Sequence, residues 1–419
     1  MSSHSPDCDV IVIGAGAAGL AATKELRASG LTVQCLEAAD RAGGRCITDT
    51  QTFGVPFDRG GHWLHNRPTN PFVEIGHALG FDIYPTPETY VTEGGAERDR
   101  ELSEALDLFE AKMDTAAEAG QDVSAADLFV VKGPWKLTVA ALLALPMGRE
   151  LDEISVLDKT EGWIEENWFC REGFGALLAR YHAETPVTLN KPVTKVAANG
   201  MGVEVTTSDG SIRAQAAIVT VSQGVLASDA IAFDPPLDSE RRAAIDGITM
   251  GTYNHTALLF EPGTIPVPDD CWLSYQIEES RNGSARGGGF LCNIGGTGLC
   301  AFETAGRFSQ ELETAGVDAA TEVALDVLSR MFGNSVRAKF TRSDMTTWTQ
   351  NPWTRGSYSG SKPGCDHLRP RLKTPHAERV LFAGEAMSHA NRGTVAGAHQ
   401  EGIRAAKEVT GLLRSGRGD

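Results

Sequence analysis

The sequence has no pair of cysteines in the Cys-x-x-Cys spacing used by zinc sites and dithiol motifs. Its eight cysteines are scattered, at positions 8, 35, 46, 170, 271, 292, 300 and 365. His62 and His65 are three residues apart, but no further ligand follows them in a metal-binding pattern. We therefore expect free thiols, as in a reducing cytosol, and no metal site.

Long hydrophobic runs are also missing. No stretch of 18 apolar residues occurs, whereas a helix that spans a membrane needs about 20. The segment Met1–Asp9 is polar and lacks the apolar core of a signal peptide. These absences predict a cytoplasmic protein without a membrane anchor.

Positive charge is scarce, since 38 Lys and Arg residues face 55 Asp and Glu residues, which gives a net charge of −17. This balance argues against nucleic acid as a partner, because binding phosphates requires a basic face. It modestly favours a cationic ligand through long-range steering, although solubility alone also accounts for it.

The length of 419 residues exceeds the roughly 250–300 at which a single core stops growing, so we expect two domains. Glycine is abundant, with 46 residues, and is well above the typical share of about 7%. Such an excess indicates tight turns or close approaches of the backbone to a ligand.

The chain opens with a βαβ pattern. Cys8–Ile13 and Leu31–Leu36 are short apolar runs typical of buried parallel strands, and Ala17–Ser29 between them has a helical pattern. A similar texture returns near the other end, with a strand at Arg379–Ala383 and a helix at Val395–Leu413. This arrangement predicts a cofactor domain built from discontinuous segments, with a second domain inserted into it.

Apolar patterning predicts further elements between these ends. Thr89–Ala126 is acidic and Ala-rich, with helical spacing. The other predicted strands are Val203–Thr207, Ile212–Ala214, Ala217–Val221, Thr256–Phe260 and Gly289–Ile294, and the other predicted helices are Leu137–Leu145 and Val317–Met331.

The loop after the first strand fits the motif GxGxxG, with the sequence Gly14-Ala15-Gly16-Ala17-Ala18-Gly19. In this motif the first glycine permits a tight turn, the second lets backbone approach a pyrophosphate, and the third lets helix and strand pack closely. The helix N-terminus adds N–H groups and a partial positive charge. Glu37 ends the second strand, where a carboxylate accepts hydrogen bonds from a ribose hydroxyl. The unit predicts dinucleotide binding and leaves NAD and FAD open.

Several further segments, taken in order, resemble the flavin-containing amine oxidase family, which includes monoamine oxidases, polyamine oxidases and lysine-specific histone demethylases. The resemblance covers nearly the whole chain, most weakly about 85–150, and implies FAD as cofactor in a bacterial-type soluble member. The segments are Arg41-Ala42-Gly43-Gly44-Arg45, Asp58-Arg59-Gly60-Gly61-His62-Trp63-Leu64-His65, Pro192-Val193-Thr194-Lys195-Val196, Gly224-Val225-Leu226, Phe233-Asp234-Pro235-Pro236-Leu237, Trp353-Thr354-Arg355-Gly356-Ser357-Tyr358-Ser359, Phe382-Ala383-Gly384-Glu385 and Gly393-Thr394-Val395-Ala396-Gly397-Ala398.

The resemblance assigns cofactor-binding roles to residues in these segments. Arg45 offers the FAD pyrophosphate a fork of donors. Gly60 and Gly61 bring backbone against the flavin, and Val193 matches the residue whose backbone contacts adenine. The residues that directly follow the two glycines, and count with them as cofactor-binding, are His62 and Trp63.

The C-terminal segments add four more cofactor-binding residues by resemblance. Gly384 and Glu385 follow a buried strand, where the carboxylate can bond the ribityl chain. Thr394 and Val395 start a helix, so their free N–H groups can face the pyrimidine end of the isoalloxazine.

One position departs from the family, whose members often carry a Lys that holds a water at flavin N5. His255 stands at this position. A His can still hold the water, but near pH 7 it is mostly neutral if its pKa is close to ~6.5. Fast turnover with oxygen is then in doubt and another electron acceptor becomes credible, unless His255 is merely a strand residue facing a wet cavity.

The resemblance also predicts which residues contact the substrate. Tyr358 matches one wall of the family's aromatic cage, and Ser357 stands where monoamine oxidases carry the Cys that links the flavin, so we expect non-covalent FAD. His65 falls where polyamine oxidases place a polar, substrate-facing group.

Arg392 either binds a substrate carboxylate or serves as a surface or phosphate contact. No aromatic residue in the segment Asn391–Thr394 supplies the second wall of the cage. The predicted catalytic residues are His255, Tyr358 and His65.

The implied reaction is oxidation of an amine C–N bond to an imine, which water hydrolyses to an aldehyde or ketone plus an amine. The substrate nitrogen must be neutral to drive hydride loss, and a desolvated pocket disfavours the ammonium. Electrons pass to oxygen, which gives hydrogen peroxide, or to another acceptor, and no strong acid or base residue is demanded. The alternatives are a flavin desaturase or isomerase on the same fold, and a redox sensor that binds FAD without turnover.

The expected fold class is α/β, with a Rossmann-like, discontinuous FAD-binding domain and an α+β substrate domain that holds a mainly antiparallel sheet. The FAD-binding domain is expected to comprise 1–85, 180–250 and 375–419. The substrate domain is expected to comprise 86–179 and 251–374. The expected partners are a small-molecule amine and an electron acceptor, and the sequence assigns no oligomeric state.

Overall fold

A computed structural model of the protein describes residues 6–87, 89–160, 166–278 and 285–415. Its strands, in chain order, are β1 (Cys8–Ile13), β2 (Val33–Leu36), β3 (Thr48–Asp49), β4 (Phe57–Asp58), β5 (Ile83–Pro85), β6 (Tyr90–Thr92), β7 (Trp168–Cys170), β8 (Val193–Asn199), β9 (Gly202–Thr207), β10 (Gly210–Val219), β11 (Ala232–Asp234), β12 (Ile248–Met250), β13 (Tyr253–Phe260), β14 (Cys271–Ser274), β15 (Gly288–Cys292), β16 (Leu299–Ala305), β17 (Phe340–Met345), β18 (Ser359–Ser361) and β19 (Val380–Phe382).

The α-helices are fewer and vary more in length. In chain order they are α1 (Ala17–Ala28), α2 (Pro71–Leu79), α3 (Ala96–Glu118), α4 (Lys136–Ala144), α5 (Val156–Thr160), α6 (Phe174–Tyr181), α7 (Gln223–Ala227), α8 (Ser239–Gly247), α9 (Gly306–Ala315), α10 (Val317–Phe332), α11 (Ser335–Ala338) and α12 (Val395–Ser415).

A seven-stranded sheet has the order β11-β8-β9-β10-β1-β2, with β19 also paired to β10. The strands β1, β2, β10 and β19 are parallel, whereas β8, β9 and the first half of β10 form an antiparallel meander. The prediction of two separate strands in 212–221 is wrong, because β10 is continuous. Its length lets it pair first with β9 and then with β19.

Both faces of this sheet are covered, as a parallel sheet requires. Val10 and Val12 pack with α1 and α12 on one face, while Ile11 and Ile13 belong to the core on the other. The two helices cross closely, because a Cβ at Gly402 would lie 2.1 Å from the Ala18 carbonyl oxygen.

A second, six-stranded sheet has the order β17-β13-β16-β15-β14-β6 and is antiparallel except for the β14–β6 pair. Its core packs against α9 and α10. The strand β16 was not among the predicted elements. It pairs with β13 in a register that sets Glu303 opposite His255.

The strands of the two sheets fall within the segments predicted for the two domains. Two small pairs join those segments, β5 with β7 and β12 with β18, and the domain boundaries stay a prediction. None of the helices in the described ranges has both the length and the apolar composition to span a membrane. Those same ranges contain no group of three or more His, Cys, Asp and Glu side chains arranged to hold a metal ion.

Candidate active site

A cavity of about 1060 Å³ runs from the glycine-rich loop to the six-stranded sheet. Two of the predicted site residues, Ala15 and Gly19, do not line it. The others do, namely Gly14, Gly16, Ala18, Glu37, Arg45, Gly60, Gly61, His62, Trp63, His65, Val193, His255, Tyr358, Gly384, Glu385, Thr394 and Val395.

The three motif glycines have three different environments. Gly14 has a φ of +100°, which side chains rarely tolerate. A Cβ at Gly19 would lie 1.9 Å from the Gly14 carbonyl oxygen, so this glycine lets α1 pack against the loop. A Cβ at Gly16 would meet nothing within 4 Å, because Gly16 faces the open cavity at the N-terminus of α1.

Glu37 fastens the glycine-rich loop to the end of β2. Its Oε2 atom accepts from the Ala15 N–H at 2.6 Å, and its Oε1 atom accepts from the Ala39 N–H at 2.9 Å. A carboxylate oxygen has capacity for a second bond. The carboxylate that lines the cavity is therefore positioned by backbone before any ligand binds.

Arg45 and Glu385 form an ion pair that joins the N-terminal and C-terminal segments. Arg45 Nη1 lies 3.0 Å from Glu385 Oε1 and also donates to the Ser357 carbonyl oxygen at 2.7 Å. The second oxygen of Glu385 accepts from the Ser359 hydroxyl at 2.7 Å. Both side chains are thus fixed at the cavity wall by other protein groups.

The segment Gly60-Gly61 lies so close to its neighbours that side chains are excluded there. A Cβ at Gly60 would lie 1.9 Å from the Arg45 carbonyl oxygen, and one at Gly61 would lie 2.6 Å from Val395 Cγ2. Backbone therefore forms this part of the cavity wall, beside the first residue of α12.

Thr394 caps α12, since its hydroxyl accepts from the Gly397 N–H at 3.0 Å. Its own N–H donates to the Asn391 carbonyl oxygen at 3.3 Å. The prediction that this N–H is free is therefore wrong. The Asn391 carbonyl oxygen occupies it, and Val395 is the first residue of the helix.

The residues present fit a dinucleotide with a large ring system. The open side of Gly16 and the N-termini of α1 and α12 offer donors and a partial positive charge to phosphate and carbonyl oxygens. His62 Nδ1 lies 3.0 Å from Asp58 Oδ2, while His62 Nε2 is buried without a hydrogen-bond partner among the described residues. The predicted cofactor residues would hold the group along this wall.

His255 is buried, 5% exposed, on β13. Its Nε2 atom lies 3.2 Å from the Tyr253 hydroxyl, and burial lowers its pKa to about 4. The imidazole is therefore neutral near pH 7, so this position carries no cation.

Two cavity residues beside His255 were missed by sequence reasoning. The Tyr253 hydroxyl donates to Glu303 Oε2, and the Tyr253 ring lies 5.7 Å from the Tyr358 ring at 45°. Burial raises the pKa of Glu303 to about 7. The available signal was a glutamate inside the apolar run Leu299–Ala305, where charged residues are rare.

His65 lies on the cavity wall as a neutral polar group. Its Nδ1 atom is 2.9 Å from Asn167 Oδ1, and its ring stacks on Trp63 at 6.1 Å and 12°. Burial lowers its pKa to about 4. Tyr358, by contrast, is held by donating its hydroxyl to the Leu145 carbonyl oxygen.

Arg392 is buried, so the prediction that it serves as a surface contact is wrong. Its side chain is 4% exposed, and Nη1 lies 2.8 Å from Asp158 Oδ1 and 3.4 Å from Asp366 Oδ1. The guanidinium is engaged by carboxylates of the protein itself.

Comparison with known proteins decides the family. The sequence pattern described as flavin containing amine oxidoreductase matches residues 17–162 and 152–410 of the chain. The chain belongs to the flavin-containing amine oxidoreductase family. This flavin-containing amine oxidoreductase is 29% identical over 443 residues to polyamine oxidase 4 of Oryza sativa subsp. japonica. The match covers 95% of this chain and 88% of that relative. It is 24% identical over 469 residues to lysine-specific histone demethylase 1B of Mus musculus, and this match covers 98% of the chain and 54% of that relative.

Solved structures agree on the fold of this amine oxidoreductase. Cyclohexylamine oxidase from Brevibacterium oxydans IH-35A matches with a TM-score of 0.79 at 21% identity, covering 98% of this chain and 100% of that chain. Putrescine oxidase bound to putrescine matches with a TM-score of 0.78 at 18% identity, and this match covers 96% of this chain and 99% of that chain. The predicted family and α/β fold class are confirmed, and the protein is an FAD-dependent amine oxidoreductase.

Proposed function

We propose that the protein oxidises the C–N bond of an aliphatic di- or polyamine to an imine, which water then hydrolyses to a carbonyl compound and an amine. FAD, when bound, supplies the acceptor for the two electrons. The protein's own residues bind and orient the amine, exclude water and set its protonation state.

The proposal rests on the negative charge of the cavity wall. The cavity residues on or beside α3 and the six-stranded sheet include four carboxylates, Asp99, Glu110, Asp270 and Glu303. No Lys or Arg lines the cavity from these elements in the described part of the chain. Such a wall favours a substrate with more than one ammonium group, and the net charge of −17 acts in the same sense. The name of the rice relative, polyamine oxidase, also supports this class.

The reacting nitrogen has to lose its proton in the cavity, because an ammonium has no lone pair to assist loss of hydride from the adjacent carbon. The rings of Tyr253 and Tyr358 form an aromatic wall at this point, and Tyr253 supplies the second ring that the C-terminal segment lacks. Desolvation between aromatic rings disfavours the ammonium form.

The electron acceptor follows from His255. A neutral imidazole gives no positive charge to stabilise a reduced oxygen species, and electrostatic stabilisation is a large term in such steps. We therefore infer that oxygen reacts slowly and that another acceptor serves the enzyme.

The test is anaerobic mixing of FAD-loaded protein with a panel of polyamines, aryl-alkyl monoamines, cyclic amines and amino acids, while the visible flavin band is followed. Bleaching by polyamines and slow return of colour in air are expected. Bleaching by another class would replace the proposed substrate, and rapid return of colour would make oxygen the acceptor. No bleaching by any amine would overturn the proposal in favour of desaturation or a sensor role.

A further inference from the structure

A buried carboxylate without a protein cation faces the substrate part of the cavity. The Glu303 side chain is 4% exposed and lines the cavity from β16. Across the described ranges, no Lys or Arg side chain pairs with it, and the neutral His255 is its nearest basic group, with Nε2 3.9 Å from Oε1. Ionised carboxylates are costly to bury without a partner.

The groups that face Glu303 set its protonation. Tyr253 and His255 face it from β13, and burial holds the pKa of Tyr253 well above its ordinary value of 10.0. Tyr358 and His62 are the other titratable groups close enough to interact with its charge. From β15 the register partner is Gly289, which has no titratable group.

None of these neighbours is a Lys or Arg, and in the described ranges no such side chain lies within ion-pair distance of Glu303. The burial that raises the pKa of Glu303 to about 7 leaves both forms populated near neutral pH. A cation that enters the cavity would therefore find a carboxylate that no Lys or Arg of the described ranges neutralises. The substrate's ammonium is such a cation, and the surrounding aromatic rings exclude competing water.

We propose that Glu303 seats the ammonium group of the amine substrate and takes one proton from it, which leaves the free amine ready for oxidation. In this step an N–H bond breaks and a carboxyl O–H bond forms, so an alkylammonium and a carboxylate become an amine and a carboxylic acid with no electron transfer. The inference rests on the proposed function. It makes Glu303 a catalytic residue and Tyr253 a positioning residue that holds the carboxyl group by its hydroxyl.

The first test compares Glu303→Gln with the wild-type holoenzyme in anaerobic flavin reduction from pH 6 to 9. The wild-type reduction rate should rise with pH through an inflection near 7, and the variant should lose that inflection and at least tenfold of the rate at pH 7.5. Glu311→Gln is the matched control, because Glu311 is exposed on α9 and outside the cavity lining. An unchanged inflection in Glu303→Gln overturns the inference.

The second test has a readout other than activity. The probe is tert-butylamine, which has no α-hydrogen and is not oxidised. Calorimetric titration at pH 6 in two buffers of different ionisation enthalpy counts the protons released on binding. Wild type and Glu311→Gln should release about one proton, because the ammonium displaces the proton of Glu303. Glu303→Gln should release none and bind at least tenfold more weakly.

The outcomes separate the two proposals. If no amine bleaches the wild-type flavin but tert-butylamine releases a Glu303-dependent proton, the proposed function fails and the ammonium seat stands. If amines bleach both wild type and Glu303→Gln with the same pH profile, the function stands and this inference fails. Should Glu303→Gln not fold, Tyr253→Phe keeps the carboxyl group and removes its donor, so the inflection should move to higher pH. An inflection that does not move overturns the inference.

Discussion

At the scale of single residues, two glycines of the glycine-rich loop differ in what surrounds them. Gly19 touches backbone, with a Cβ position 1.9 Å from the Gly14 carbonyl oxygen, whereas the Cβ position of Gly16 is open. The same substitution at these two positions therefore has two different effects.

We predict that Gly19→Ala destabilises the protein by at least about 2 kcal/mol, because overpacking against backbone cannot relax by side-chain movement. Gly16→Ala should change the stability of the FAD-free protein by less than about 1 kcal/mol, which is the range of a helix N-cap change. It should nevertheless weaken FAD binding, because its methyl group points into the cavity. Urea unfolding of FAD-free protein and titration with FAD measure the two effects. Equal FAD affinity in Gly16→Ala and wild type would contradict the assignment.

The attachment of FAD is also decided by single residues. Ser357 precedes Tyr358, and its hydroxyl donates to the Gly251 carbonyl oxygen at 3.0 Å. A serine cannot form the thioether that the resemblance places here. We expect all flavin to stay in the supernatant after acid precipitation of the protein, and flavin that sediments with the polypeptide would show a covalent bond elsewhere.

At the scale of elements, a buried group of charges holds the C-terminal segments together. Asp158 on α5 is fully buried, and its Oδ1 atom lies 2.6 Å from Arg369 Nη2 and 2.8 Å from Arg392 Nη1. Its other oxygen accepts from the Ser361 N–H on β18 at 2.5 Å. One carboxylate thus ties α5, β18 and the segment before α12.

We predict that Asp158→Asn lowers the free energy of unfolding by about 3–5 kcal/mol, because it leaves two buried guanidinium groups short of their counter-charge. Asp326→Asn is the control, since Asp326 pairs with Arg337 at the surface, where screening makes such pairs weak. Urea unfolding of both variants beside wild type measures the difference. Similar small losses in both would show that the buried group does not hold these elements.

At the scale of the whole molecule, buried histidines make stability depend on pH. Burial lowers the pKa of His65, His255 and His399 to about 4, and that of His182 to about 3. The folded state keeps these groups neutral below pH 6.5, while the unfolded state protonates them. Their contribution is complete above pH 6.5 and is lost as the pH falls toward 4.

Glu303 acts in the opposite sense, because its pKa of about 7 keeps a proton in the folded state that the unfolded state releases. Near pH 5 these four histidines less this one carboxyl leave a net uptake of about three protons on unfolding. The free energy of unfolding should therefore fall by roughly 4 kcal/mol for each unit of decreasing pH, at about 1.4 kcal/mol per proton. Urea unfolding at several pH values measures the slope, and His399→Phe should reduce it by about one proton. A slope near zero would contradict the burial of these groups.

Local sequence motifs predicted many of the elements at the cofactor end of the cavity. The strand–loop–helix unit around Gly14, the glutamate at 37 and the start of α12 at Val395 were predicted within a few residues, because turn chemistry and hydrophobic periodicity are local signals. Glu303 could not be placed in the same way, since β16 lies in a nearly continuous apolar run with no period to identify it.

The sequence by itself determined the family, the FAD cofactor and the glycine-rich turn between β1 and α1, because these depend on residue types within short segments. Only the tertiary structure decided which groups line the cavity beside the six-stranded sheet. The register of β13 with β16 sets Glu303 opposite His255 and beside Tyr253, and the chain folds Arg392 onto Asp158. Such neighbours are far apart along the chain, and their distances are fixed by strand pairing and core packing, which no local pattern of residues encodes.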